Sequence, residues 1–139
     1  MMHLSVENDA GPQDVQIIQR GLQAFNRKHT GAEDSFEPVI IFLRDDDGTI
    51  RGGLLGEMYW GWLHVVILWL HEDERGQGYG GQLMRMAEDL ARGRGCHHAH
   101  LDTLSFQAPG FYHKLGYEEF GRLEDLPRGH SRIFLYKAL

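Results

Sequence analysis

Apolar and polar positions divide the chain into short elements. Leu4-Ser5-Val6 alternates, which predicts a short opening strand. Pro12-Gln13-Asp14 then opens a helix, because proline suits the first turn and an acid favours the positive end of the helix dipole. Val15, Ile18, Leu22 and Phe25 follow at helical spacing. The polar stretch from Asn26 to Glu37 is expected to be loop, with one helical turn at most. Pro38-Val39-Ile40-Ile41-Phe42-Leu43 has the length and β-branching of a buried strand, and Asp45-Asp46-Asp47-Gly48 is a turn.

Thr49 to Met58 and Trp62 to Leu70 form the arms of a hairpin with Gly61 near its turn. Gly52, Gly53 and Gly56 inside the first arm predict bulges or a close backbone approach. A charged, glycine-rich loop covers Glu72 to Gly81. Leu83, Met84, Ala87, Leu90 and Ala91 then mark one face of a helix ending near Gly93 or Gly95. A short strand at Ala99–Thr103 follows, then a short helix at Ala108–Leu115 closed by Gly116. The last two strands are Tyr117–Leu123 and Arg132–Tyr136. The order β-α-β-β-β-α-β-α-β-β predicts a mixed α/β (α+β) fold. Its central sheet is mostly antiparallel, flanked by helices, with one parallel strand crossover.

Composition narrows the partners. The 139 residues show no internal repeat or linker, so a single domain spanning 1–139 is expected. Fourteen basic and twenty acidic residues give a formal net charge of -6. That balance lacks the basic footprint of a nucleic-acid binder and suits a cationic small molecule. The only cysteine is Cys96, which points to a reducing compartment such as the cytoplasm. The first residues lack a signal-peptide pattern, and no apolar run is long enough to predict a membrane span. Glycine is the outlier, with 18 residues, about twice the usual ~7% share.

Four of these glycines, Gly76, Gly78, Gly80 and Gly81, fall within six positions of Arg75-Gly76-Gln77-Gly78-Tyr79-Gly80-Gly81. A strand feeds this loop and the loop feeds a helix. Glycines allow positive φ and close approach of the backbone to a ligand. The helix start offers unpaired N–H groups and a positive dipole end, which together suit a pyrophosphate. Arg75 adds a fixed charge. Gly76, Gly78 and Gly81 also fit G-x-G-x-x-G with Asp102 downstream, the dinucleotide pattern. That reading needs several parallel strands joined by helices, whereas here the loop follows hairpin-linked strands.

Arg75 to Gly80 also matches R/Q-x-x-G-x-G/A, and the chain from Ser105 through Ala108, Tyr112 and Lys114 to Gly116-Tyr117 resembles N-x-x-A-x-x-x-Y-x-K-x-G-F. Both motifs, in this order, resemble the GNAT family of N-acetyltransferases, with clear similarity over roughly residues 50 to 139. The resemblance implies acetyl-CoA as co-substrate and no metal. It implies that backbone groups of Leu68 and Leu70 pair with the pantetheine arm, which lies where two strands splay apart. Arg75, Gly76, Gln77, Gly78, Tyr79, Gly80 and Gly81 would hold the pyrophosphate. Lys114 would lie near the adenosine phosphate, and Ser105 stands where the family often has Asn.

The implied reaction is attack of an amine on the thioester. An aliphatic amine with a pKa near ~10.4 is almost wholly protonated at pH 7, and reaching its free base costs about 4–5 kcal/mol. A base shares that cost, and an acid protonates the departing thiolate. Tyr112 matches the family tyrosine that serves as acid. His64 matches the position where some members carry a glutamate base, and imidazole suits neutral pH. Simple alternation places His64 on one face with Trp62, Val66 and Leu68. Glu57 on the neighbouring strand is an alternative base or an anchor for a cationic amine. Tyr59, Trp60 and Trp62 crowd the hairpin end, as core, acceptor pocket or subunit contact. His98 and His100 lack the accompanying spacing of a metal site.

The expectation is an acyltransferase that moves acetyl to a primary amine of a small molecule or of a protein lysine. It would use neither nucleic acid nor membrane, and a homodimer would cover its sheet edges. A non-catalytic acyl-CoA-binding sensor is the alternative from another class. It would keep the loop but would not need Tyr112.

Overall fold

The computed structural model describes residues 1–31 and 36–139. They belong to two compact units, Met1–Asp34 and Ser35–Leu139. In the first, α1 spans Pro12–Thr30, with proline in its first turn and Arg27, Lys28 and His29 in its last. The basic last turn offsets the negative end of the helix dipole. The expected loop from Asn26 is therefore helical as far as Thr30, whose hydroxyl donates to the Asn26 carbonyl at 3.1 Å. Gly31 caps the helix with φ +77°. The rest of that predicted loop includes residues 32–35, which lie outside the described residues. The opening strand at Leu4–Val6 does not form. Three alternating residues make a strand only with a ladder partner, and Leu4 and Val6 are exposed instead.

The second unit carries β1 (Glu37–Arg44), β2 (Ile50–Tyr59), β3 (Trp62–Leu70), α2 (Tyr79–Gly93), β4 (His98–Leu104), α3 (Pro109–Lys114), β5 (Glu118–Glu124) and β6 (Ser131–Ala138). The six strands form one sheet in the order β1-β2-β3-β4-β6-β5. Only β3 and β4 pair in parallel; the other neighbours are antiparallel. The acidic turn closes on itself: the Asp45 carboxylate accepts from the backbone of Asp47 and Thr49.

β2 and β3 meet at Trp60-Gly61, both with positive φ (52° and 76°), as a tight two-residue hairpin turn demands. The glycines of β2 are there for close approach: a Cβ on Gly53 would sit 2.5 Å from the Ile41 carbonyl, and one on Gly56 2.5 Å from that of His64. Opposite Gly56 the register slips, because Leu55 pairs with Ile67 and Gly56 with Val65. Val66 is thus an extra residue, a β-bulge. The bulge reverses the alternation of β3. Leu63 and Val65 face α2 before it, and Leu68 and Leu70 face the same core after it. His64 therefore shares the far face with Trp62 but not with Leu68, a correction to simple alternation.

The core lies between the sheet and α2. Val39, Leu54, Leu63, Val65, Leu101 and Leu135 come from the strands, and Met84, Ala87 and Ala91 from the helix. Small alanines let α2 approach the sheet, and burying each Leu or Val side chain contributes roughly 1.5–3 kcal/mol. One carboxylate lies within this layer. Glu88 on α2, only 3% exposed, accepts from the Tyr117 hydroxyl at 2.9 Å and from the Lys137 ammonium at 2.8 Å. The group thus ties α2 to β6.

Candidate active site

β3 and β4 pair only from Trp62/His98 to Val65/Leu101. Beyond that point each strand keeps its other neighbour and the two separate. A cleft of about 790 Å³ fills the gap. Its walls include Val65 to Leu70 of β3, Leu101 to Thr103 of β4, and Phe106, Gln107, Ala108, Phe111 and Tyr112. Arg75, Gly76, Gly78, Gly80 and Gly81 close one end.

The free edge of β3 faces this cleft. The His71 N–H donates to the Arg51 carbonyl on β2, so residues two apart from His71 turn their backbone toward β2. Leu68 and Leu70 turn theirs to the cleft. Leu70 is partly committed, since its carbonyl accepts from Arg75 Nε at 3.0 Å.

The glycine loop begins with a single 3-10 turn at Glu72–Glu74. Arg51, which sequence reasoning passed over, holds that turn through Glu74 at 3.1 Å and Asp73 at 3.5 Å. Gly76 and Gly78 have φ +77° and +89°, and a Cβ on either would project into open space. They are glycine for backbone conformation rather than for crowding. Gly78 is the N-cap of α2, and the first helical bond is Gln82 N–H to the Gly78 carbonyl. The N–H groups of Tyr79, Gly80 and Gly81 therefore lack intrahelical acceptors. The donor set and the open space above the glycines fit a pyrophosphate.

A second guanidinium attends the loop. The position of a Cβ on Gly81 lies 3.2 Å from Arg85 Nη1, so Arg85 folds back over the first turn of α2. The helical i, i+4 spacing was the available signal. Gln77 turns to the Asp73 carbonyl at 2.9 Å and, like Tyr79, does not line the cleft. Ser105 does not line it either: its hydroxyl accepts from Ser131 N–H at 2.9 Å. Lys114 is exposed on α3, away from the cleft walls.

Tyr112 of α3 is buried and lines the cleft. Burial, reinforced by Asp102, raises its hydroxyl above the ordinary tyrosine value, so it stays protonated at neutral pH. Its hydroxyl has no hydrogen-bond partner among the described residues, yet it is not a sealed orphan. Asp102 lines the same cleft and accepts from Arg132 Nε at 2.7 Å.

On the far face, where β3 and β4 begin to part, His64 and Glu57 meet. His64 Nδ1 lies 3.0 Å from Glu57 Oε1. An ionised carboxylate only accepts, so Nδ1 donates, and in the neutral ring that leaves the lone pair on Nε2. The two residues considered separately as bases form one pair. The count was in the sequence: a two-residue turn at Trp60-Gly61 puts Tyr59 opposite Trp62 and Glu57 opposite His64. Neither side chain lines the cleft itself. Tyr59, Trp62 and His98 surround the pair's strand end, with Trp62 stacked on His98 at 4.6 Å.

A splayed parallel pair, a glycine loop entering a helix and a protonated tyrosine in the cleft define an acyltransferase. A dinucleotide fold would need a series of parallel strands, and this sheet has one parallel pair. Residues 8–117 match the model of the Acetyltransferase (GNAT) family. The chain is 35% identical to acetyltransferase Atu2258 of Agrobacterium fabrum over 136 residues, 98% of each protein. It is 36% identical to blasticidin-S acetyltransferase of Streptomyces morookaense over 119 residues, 85% of this chain and 88% of that protein. The crystal structure of an acetyltransferase from Bacillus cereus superposes with a TM-score of 0.87 at 36% identity, covering 99% of this chain and 100% of that one. The chain belongs to the GNAT acetyltransferase family.

Proposed function

We propose that this enzyme transfers acetyl from acetyl-CoA to the primary amine of a cationic small molecule, with His64 as base and Tyr112 as acid. The observation that carries the reading is the Glu57–His64 pair, 3.0 Å apart, beside the point where the cleft opens. Bound acetyl-CoA would supply an activated acyl group with a good leaving group. The unpaired β3 edge at Leu68 and Leu70 would hold its amide arm, and the loop from Arg75 to Gly81 its pyrophosphate. Arg85 adds a second charge there.

The acceptor ammonium loses one proton to solvent. His64 Nε2 takes a second from the amine nitrogen as it attacks and later returns it to solvent, and Glu57 stabilises the imidazolium in between. The amine nitrogen forms its bond to the acyl carbon as the carbon–sulfur bond breaks. Tyr112 gives its hydroxyl proton to the departing sulfur and is restored from solvent. Glu57 on the far face, with the overall charge of -6, favours a cationic acceptor. The blasticidin-S acetyltransferase relative makes blasticidin S the first amine to try, ahead of polyamines and a lysine peptide.

Acetyl-CoA titration followed by tryptophan fluorescence, then an amine screen, tests the reading. Saturable acetyl-CoA binding and turnover of a cationic amine are expected. A folded protein that ignores acetyl-CoA, or prefers a neutral or peptidic acceptor, would overturn it.

A further inference from the structure

His100 of β4 is used by nothing described so far. It is directly in register with His64 across the parallel pair. The two imidazoles stack with centroids 4.4 Å apart and planes 7° from parallel. Glu57 therefore holds the edge of the His64 ring, and His100 holds one of its faces. His100 is fixed in turn. Tyr59 Oη lies 3.4 Å from its Nε2, and Trp62 meets it edge-on at 5.7 Å.

We propose that His100 is a positioning residue for acetyl transfer: it fixes the plane of the His64 ring and, by remaining neutral, leaves the pair's single positive charge on His64. This rests on His64 being the base. Two cations stacked this closely would repel, so a charge on one ring makes the other harder to protonate.

The surroundings decide which ring that is. Glu57 on β2 bonds to His64 and not to His100. Among the groups facing His100, Tyr59 and its β6 partner Tyr136 are neutral, and Asp102 on its own strand is bound to Arg132. His98, also on its own strand, stacks on Trp62. Burial, and then His64, push the His100 imidazole below the ordinary histidine value, against weaker opposing pulls from Asp102 and Glu57. A neutral ring beneath an imidazolium also offers it a π face.

NMR titration of the histidine ring protons tests this without any acceptor. In the wild type, His64 is expected to take its proton first and His100 at lower pH. In His64→Ala the His100 step should move to higher pH. Independent titration, with His100 unmoved in His64→Ala, would overturn the inference whatever the kinetics. The kinetic arm uses the fastest amine of the screen. His100→Leu should lower kcat about tenfold with KM for acetyl-CoA unchanged, and His100→Phe, which keeps a stacking face, should recover most of that loss. Equal rates in wild type and His100→Leu would also overturn it. Full activity and an unchanged pH profile in His64→Ala would instead defeat the base assignment.

Discussion

Two glutamates of this molecule do opposite work. Glu88 is 3% exposed, and both its oxygens are engaged, one by Tyr117 and one by Lys137. It has no open site for a substrate and joins α2 to β6. Glu57 is half-buried with one partner among the described residues, the Nδ1 of His64. Two tyrosines repeat the contrast. Tyr112 and Tyr117 are both buried, with ring centroids 6.1 Å apart. The Tyr117 hydroxyl is spent on Glu88, whereas the Tyr112 hydroxyl has no partner among the described residues and Tyr112 lines the cleft. Burial alone does not mark a catalytic group. What separates each pair is whether its polar atoms are already satisfied.

The contrast breaks most sharply at the tyrosines. Tyr112→Phe should leave acetyl-CoA binding intact and lower kcat by about ten- to a thousandfold. Tyr117→Phe should leave the rate per folded molecule unchanged and cost about 1–3 kcal/mol of stability. Steady-state kinetics and urea melts on both proteins would separate them. Glu88→Ala should destabilise by about 3 kcal/mol or more, because it strands the Lys137 ammonium beside a buried hydroxyl. The melting temperature reads that loss, with acetyl-CoA affinity of the folded fraction preserved. Glu57→Gln should do the reverse. It should lower kcat by about tenfold to a hundredfold, with a stability change within about 1 kcal/mol.

The smallest effect concerns pH. His100 is held below the ordinary histidine value by burial and by His64, so the unfolded chain binds this proton more readily than the folded one. Its contribution is present above the unfolded value of ~6.5 and is lost as pH falls through the lower folded value. His100→Phe should therefore flatten the fall in stability on the acid side of pH 6.5. An unchanged slope would show that His100 has no such linkage.

Much of this was legible in the residues. Gly61 marked the hairpin, and the glycine run marked the loop because its backbone needs positive φ. Tyr112 stood out through its motif. The bulge at Val66 was not legible, since no local residue type announces it and the register against β2 decides it. That single extra residue moved Leu68 to the opposite face from His64. Glu88 looked like any helical glutamate, because its partners lie 29 and 49 residues away in sequence. The His64–His100 stack likewise depends on the parallel register of β3 and β4. The helix through Asn26–Thr30 was missed because its last turn is polar, yet a basic last turn closed by Gly31 suits a helix end.

The most direct test of the central claim is the pH profile of kcat/KM for amine acetylation, taken at saturating acetyl-CoA in wild type and His64→Ala. Beyond the rise set by the amine's own ionisation, the wild type should show a further step on its acid limb that is lost in His64→Ala, with a slower rate and the same affinity for acetyl-CoA. A His64→Ala enzyme that keeps both that step and the rate would place the base elsewhere.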